Sequence, residues 1–327
     1  MRPESVRPTL GNTPMTTSKT GQVIVASRHS SIAACSSPSP SNRQVFPARR
    51  TDVFAPDFFV IGAMKAGTTT ICSYLAQFDQ IGMSRIKETD YFIAEKNHVL
   101  GEAWYQRQFD LGRPLLGEAS PNYTKYDIFP GVPERIANVA PDAMFLFIAR
   151  DPVARFASHY RHSWTFGHMR VEPAGLLTSD NGRHMIECSR YGAQIDQYLA
   201  HFDSRQFLFL DFDELCAAPQ IVADQVADFL RIDRRTMQPE LPANTADEVA
   251  RIPSALKRIA RSSLVRRCDH FIPKSTRNLV RKAYSLRKPD LAPELNRELL
   301  DKVTDLLRTD ARRFREISGR EFSQWCV

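Results

Sequence analysis

The stretch from Asp57 to Leu75, DFFVIGAMKAGTTTICSYL, decides the fold. Phe58-Phe59-Val60-Ile61 is an apolar run too short for a helix and built of strand formers. It turns through Gly62-Ala63-Met64-Lys65-Ala66-Gly67 into Thr68-Thr69-Thr70, and Ile71, Leu75 and Phe78 then follow at helical spacing. A strand, a glycine loop and a helix in succession bind anions. The glycines let backbone N–H groups close on an oxyanion, and the helix adds its free amides and the positive end of its dipole. Lys65 supplies a charge and the threonines supply hydroxyls. A nucleotide triphosphatase loop reads G-x-x-x-x-G-K-[ST]. Gly62 and Gly67 keep that spacing, but Thr68 takes the lysine position and the lysine lies inside the loop. Such a loop suits a single tetrahedral anion better than a triphosphate with magnesium.

Working outward, Ala143 to Ala149 (AMFLFIA) is a continuous apolar run expected of a central parallel strand covered on both faces. It ends in Arg150-Asp151-Pro152, where a helix carrying Arg155, Ser158, His159 and Tyr160 starts. Ligands of open α/β sheets sit outside the carboxyl ends of strands, so Arg150 and Ser158 are placed to hold a second anionic group. Strands are also expected at Ile81–Ser84, from Leu115, and over Gln206–Asp211. Helices are expected from Val132, from Arg190, over Pro219–Leu230 with Ile221, Val222, Val226 and Leu230 on its apolar face, and over Pro293–Ser318. The last turns Leu299, Val303, Leu306, Ala311, Phe314 and Ile317 inward and stops at Gly319. Residues 164–188 read as an irregular loop on the acceptor side, and Lys87-Glu88-Thr89-Asp90-Tyr91-Phe92 has the composition of a surface turn. Strands alternating with helices define an α/β chain of the P-loop type, with three layers and a central parallel sheet between helices.

The 327 residues suffice for one large α/β domain. Residues 1–52 are rich in Ser, Pro, Thr and Arg, with Glu4 the one acid before Asp52. They resemble a transit peptide in composition and are expected to be a disordered extension, or to precede a start at Met15, leaving 53–327 as the folded domain. The net charge of +7 points to anionic partners. Cys35, Cys72, Cys188, Cys216, Cys268 and Cys326 form no C-x-x-C pair, and are read as reduced thiols of a cytoplasmic protein without zinc. No apolar run approaches the ~20 residues of a membrane span. From Arg251 to Lys288 there are twelve Lys or Arg and one acid, a solvated face or a contact for the cofactor, an acidic acceptor or a membrane surface.

Together the motifs GAMKAGTTT, KETDYF, GEASPNY, RDPVARFASHY and GREFSQW resemble the sulfotransferase family that uses 3′-phosphoadenosine 5′-phosphosulfate (PAPS). The resemblance runs from about Phe58 to Trp325 and is closest to bacterial members and the domains that modify heparan sulfate. It implies that Lys65, Ala66, Gly67, Thr68, Thr69 and Thr70 bind the 5′-phosphosulfate, that Arg150 and Ser158 bind the 3′-phosphate, and that Glu88 is the catalytic base. The small-molecule cytosolic enzymes use a histidine at that place, and the segment here has none. The lysine- and glycine-rich PAPS loop of the Golgi enzymes has no clear copy, its nearest counterpart being Arg251-Ile252-Pro253. The resemblance implies sulfuryl transfer to a hydroxyl or amine without a metal, with Lys65 neutralising the leaving group and a carbohydrate or lipid among the acceptors. A P-loop kinase with a degenerate loop is a second reading, disfavoured by the displaced lysine and by the lack of an obvious magnesium ligand. A noncatalytic basic protein that binds nucleotide or polyanion is a third, and no nucleic-acid-binding motif is evident.

Overall fold

The computed structural model describes residues 54–238 and 291–327. Five strands form one wholly parallel sheet: β1 (Phe58–Gly62), β2 (Ile81–Met83), β3 (Leu115–Ala119), β4 (Met144–Ala149) and β5 (Phe207–Asp211), in the order β2-β3-β1-β4-β5. Every residue of β1 and β3 is buried, as is all of β4 except Met144, which is why these strands read as unbroken apolar runs. From β1 the chain passes left to β2 through α1 (Thr68–Leu75), whereas after β3 it passes right to β4 through α3 (Val132–Val139). Right-handed crossovers in opposite directions put their helices on opposite faces of the sheet. The reversal opens a crevice beyond the carboxyl ends of β1 and β4. Lys65 and Arg150 follow those two strands.

One helical layer holds α3, α4 (Pro152–Thr165), α6 (Asp180–Glu187), α7 (Tyr191–Leu199) and the last helix, α10 (Arg297–Ser318), which packs on α7 and α4. On α2 (Glu102–Gln106), Tyr105 donates its hydroxyl to Glu118 of β3. The remaining helices are α5 (Pro173–Leu176), α8 (Phe212–Ala217) and α9 (Pro219–Leu230). Phe314 of α10 is wholly buried and meets Phe147, Tyr191, Phe209, Phe322 and Trp325, so the C-terminal segment closes over β4 and β5. The amide of Cys326 then donates to Asp151 Oδ2 at 2.6 Å, tying the terminus to the strand–helix junction that carries Arg150.

Several expectations are corrected. Residues 164–188 are not an irregular loop: they contain α5 and α6, the latter capped by Ser179 Oγ accepting from the Gly182 amide at 3.0 Å. A Cβ on Gly182 would lie 1.8 Å from the Leu176 carbonyl oxygen, so the approach of these two short helices requires glycine. Leu176, Met185 and Ile186 pack against α4 and α10, but the helices are too short for their apolar stripe to stand out in sequence. The last helix starts at Arg297, capped by Asn296, and turns Leu307 inward while Leu306 is 52% exposed. On α9, Ile221 faces solvent. Thr89, Asp90, Tyr91 and Phe92 are buried, so the KETDYF segment is no surface turn. Residues 1–52, Arg251 and the basic 251–288 segment lie outside the described residues. Among the described residues no helix is long and apolar enough to cross a membrane, and Cys72, Cys188, Cys216 and Cys326 are free thiols.

Candidate active site

The loop after β1 is shaped by its backbone. Gly67 caps α1 at φ 88° and Lys65 stands at φ 72°, both in the left-handed region. A Cβ on Gly67 would meet Phe212 at 3.0 Å, so the loop sits directly on the first residue after β5. No side chain caps α1, which leaves its first amides and the positive end of the helix for a ligand. The Ala66 amide is different: it donates to the Ala63 carbonyl within the turn and the residue is fully buried.

A cleft of about 420 Å³ opens at this point, lined by Lys65, Gly67, Thr68, Thr69, Glu88, Arg150 and Ser158 among others. Three separated sequence motifs therefore converge: the loop after β1, the KETDYF segment after β2, and the junction after β4. Ala66 and Thr70 do not line it. Three further residues of the lining carry polar groups left unassigned from sequence, Lys87, Asn122 and Lys125; His162, like His159 a rival base to Glu88 by its chemistry, lines the cleft as well. His162 stands one turn beyond Ser158 on α4, and Lys125 follows the carboxyl end of β3. Those positions were signals. Phe212, also in the lining, gave none.

The electrostatics are lopsided. Lys65 Nζ lies 3.3 Å from His162 Nδ1, and Arg150 reaches the Lys65 carbonyl at 3.4 Å while its guanidinium lies 4.7 Å from the centre of the Phe212 ring. Among the described residues neither cation forms an ion pair. Burial, reinforced by Arg150, Arg155, Arg161 and Lys87, holds the Lys65 ammonium below the usual lysine range. Burial pushes Lys125 down as well. Such a cluster of desolvated cations is relieved by an anionic ligand. Glu88 is the acid of the cleft; its side chain is 47% exposed and accepts from Lys87 Nζ at 2.9 Å.

Two residues near the site have other work. Arg155 is completely buried, donating to Ser189 Oγ at 2.7 Å and to the Met185 carbonyl at 2.6 Å, and so locks α4 to α6. Burial, with Arg155 and Lys125 beside it, keeps His159 well below the ordinary imidazole value, and it does not line the cleft. The Arg150 carbonyl accepts from Tyr191 Oη at 3.0 Å, and Asp151 Oδ1 caps α4 through the Ala154 amide at 2.7 Å, which fixes the backbone that presents Arg150.

A parallel sheet with a glycine loop at its switch point and a second basic junction beside it defines a P-loop-type α/β protein. The family described as the sulfotransferase domain matches residues 55–271, and the chain belongs to that family. Its relatives include the bifunctional heparan sulfate N-deacetylase/N-sulfotransferase 1 of Caenorhabditis elegans, 26% identical over 205 residues that make up 58% of this chain and 23% of the relative. Another is the heparan sulfate glucosamine 3-O-sulfotransferase 3B1 of Mus musculus, 25% identical over 290 residues, 82% of this chain and 64% of the relative. The chain thus spans less than two thirds of the length of either. Among solved structures, a sulfotransferase from Alicyclobacillus acidocaldarius matches the fold with a TM-score of 0.58 at 22% identity, over 84% of this chain and all of that one.

Proposed function

We propose that the chain transfers the sulfuryl group of PAPS to a hydroxyl or amine of a carbohydrate acceptor. One observation carries this reading: Lys65, Arg150, Ser158 and Glu88 open onto a single cleft in which, among the described residues, Lys65 and Arg150 have no carboxylate partner. The residues fit the donor. The loop amides and Lys65 offer a cradle for its 5′ end, and Arg150 with Ser158 offers a second cradle for its 3′-phosphate. When bound, the donor supplies an activated sulfuryl group whose transfer is a loose in-line displacement, governed by positioning and charge stabilisation. Lys65 meets the negative charge that develops on the leaving phosphate oxygen, a contact of a kind worth ~3–4 kcal/mol of barrier. Thr68 and Thr69 present hydroxyls at the start of α1 to orient the sulfate. Glu88 takes the proton from the acceptor, a role worth roughly 10²–10⁴-fold. The carbohydrate acceptor is supported by the names of the heparan sulfate relatives.

A second base has one observation in its favour: His162 shares the cleft and touches Lys65. Radiolabelled PAPS offered with N-deacetylated heparosan, unmodified heparosan and a small phenol tests both. Label in a polysaccharide that disappears with Glu88→Gln and survives His162→Ala supports the first reading. Label lost only with His162→Ala overturns Glu88 as base, and label in the phenol alone overturns the carbohydrate acceptor.

A further inference from the structure

Glu118, on β3, is fully buried, and no lysine or arginine among the described residues bonds to it. Four hydroxyls do. Ser120 Oγ and Tyr123 Oη donate to its Oε1 at 2.6 and 2.7 Å, Thr89 Oγ1 donates to the same oxygen, and Tyr105 Oη donates to Oε2. Each hydroxyl has one proton, so giving it to the carboxylate turns the oxygen's lone pairs outward. Three of those oxygens accept successive backbone amides. Asp90 N donates to Ser120 Oγ at 3.1 Å, Tyr91 N to Thr89 Oγ1 at 3.3 Å, and Phe92 N to Tyr123 Oη at 3.2 Å. Asn97 Nδ2 adds a bond to the Thr89 carbonyl at 2.6 Å. Asp90 holds φ 49°, a backbone conformation that a non-glycine residue keeps only where its surroundings fix it.

The three amides belong to the residues that follow Glu88 at one remove. Among the described residues Glu88 itself has only the exposed contact with Lys87, which positions little. We propose that Glu118 is a positioning residue for the transfer: through the hydroxyls of Thr89, Ser120 and Tyr123 its carboxylate fixes residues 89–92 and so holds Glu88 over the cleft. This rests on the reading of Glu88 as base. A carboxylate is needed because it accepts from all four hydroxyls at once. A glutamine has one acceptor oxygen and brings two N–H donors that confront hydroxyl protons. A shift of about 1 Å at a reacting group can cost roughly 100-fold in rate.

Hydrogen exchange of the full chain with bound 3′-phosphoadenosine 5′-phosphate (PAP) tests the clamp without an acceptor. Exchange at residues 90–92 is expected to rise about tenfold or more in Glu118→Gln and Thr89→Val, while Thr89→Ser, which keeps the hydroxyl, matches wild type. In the polysaccharide assay kcat falls about 10–100-fold, with PAP affinity by calorimetry within about twofold of wild type. Should Glu118→Gln fail to fold, Thr89→Val and Thr89→Ser carry the comparison. Unchanged exchange at 90–92 overturns the clamp, and faster exchange with kcat intact overturns its link to the transfer. Full turnover by Glu88→Gln would instead refute the base, a separate result.

Discussion

Replacing Lys65 with methionine should raise the stability of the empty protein while weakening its nucleotide binding. The substitution shortens the unbranched side chain by one heavy atom and, being an L-residue, keeps the same left-handed backbone strain at φ 72°. What it removes is an ammonium that burial and four neighbouring cations hold below the ordinary lysine range. That charge is unfavourable in the empty cleft, so the melting temperature is expected to equal or exceed that of wild type; among the described residues the contact with His162, at 3.3 Å, is the one bond lost. With a nucleotide phosphate in place the sign reverses. A hydrogen bond to a charged group contributes about 1.5–3 kcal/mol, so PAP affinity should fall by roughly 10–150-fold. Calorimetry on the two proteins, with thermal melts with and without PAP, measures both effects. Affinity within threefold of wild type, or a clear fall in the melting temperature of the empty protein, would refute the reasoning.

Asp127 and His184 give a pH-dependent contribution. Burial opposes the charge on His184, but its hydrogen bond to Asp127, with Nδ1 2.6 Å from Oδ2, and the neighbouring Cys188 outweigh it and raise the imidazole from 6.5 to about 9. A raised folded-state value means that the stabilisation is complete below pH ~6.5 and is lost as the pH climbs through about 9. Partial exposure limits it to ~1–2 kcal/mol, so Asp127→Asn should lower the melting temperature by about 2–8 °C at pH 6 and hardly at all at pH 10. An equal loss at both values would contradict the assignment. In the core, Phe314→Ala empties the centre of a ring cluster that includes Phe147 and Trp325, and should cost ~3–5 kcal/mol in urea unfolding. A loss below about 1.5 kcal/mol would mean that the C-terminal segment is not anchored there.

What the sequence disclosed and what it hid follow from range. The strand–loop–helix at 58–75 was legible because its conformation is local: apolar strand formers, glycines where the backbone turns left-handed, and a regular apolar spacing after them. Arg150 was legible for the same reason, lying where a buried strand meets a helix cap. Glu118 was not, because its meaning arises only when Thr89, Tyr105 and Tyr123 from other segments close around it; in sequence it is one acid in a strand. The KETDYF segment was misjudged alike, since its burial depends on the aromatic partners of Tyr91 and Phe92 from α2 and β1. Helix faces erred where apolar neighbours stand side by side: on α10 Leu307 rather than Leu306 turns inward, and of Ile221 and Val222, both expected on the apolar face of α9, Val222 alone is buried. Short helices such as α5 and α6 carry too few turns to show a period, and their geometry depends on a backbone contact at Gly182.

Every proposed role depends on the PAPS nucleotide occupying the cleft at the β1–β4 switch point. Titration calorimetry with PAP, without added metal and with ATP as comparison, tests it most directly. Micromolar binding of PAP, much tighter than that of ATP, is the result expected from two separated cationic cradles with no triphosphate lysine. No binding of PAP, or ATP bound as tightly and only with magnesium, would contradict it, and the roles given to Lys65 and Glu88 would fall with it.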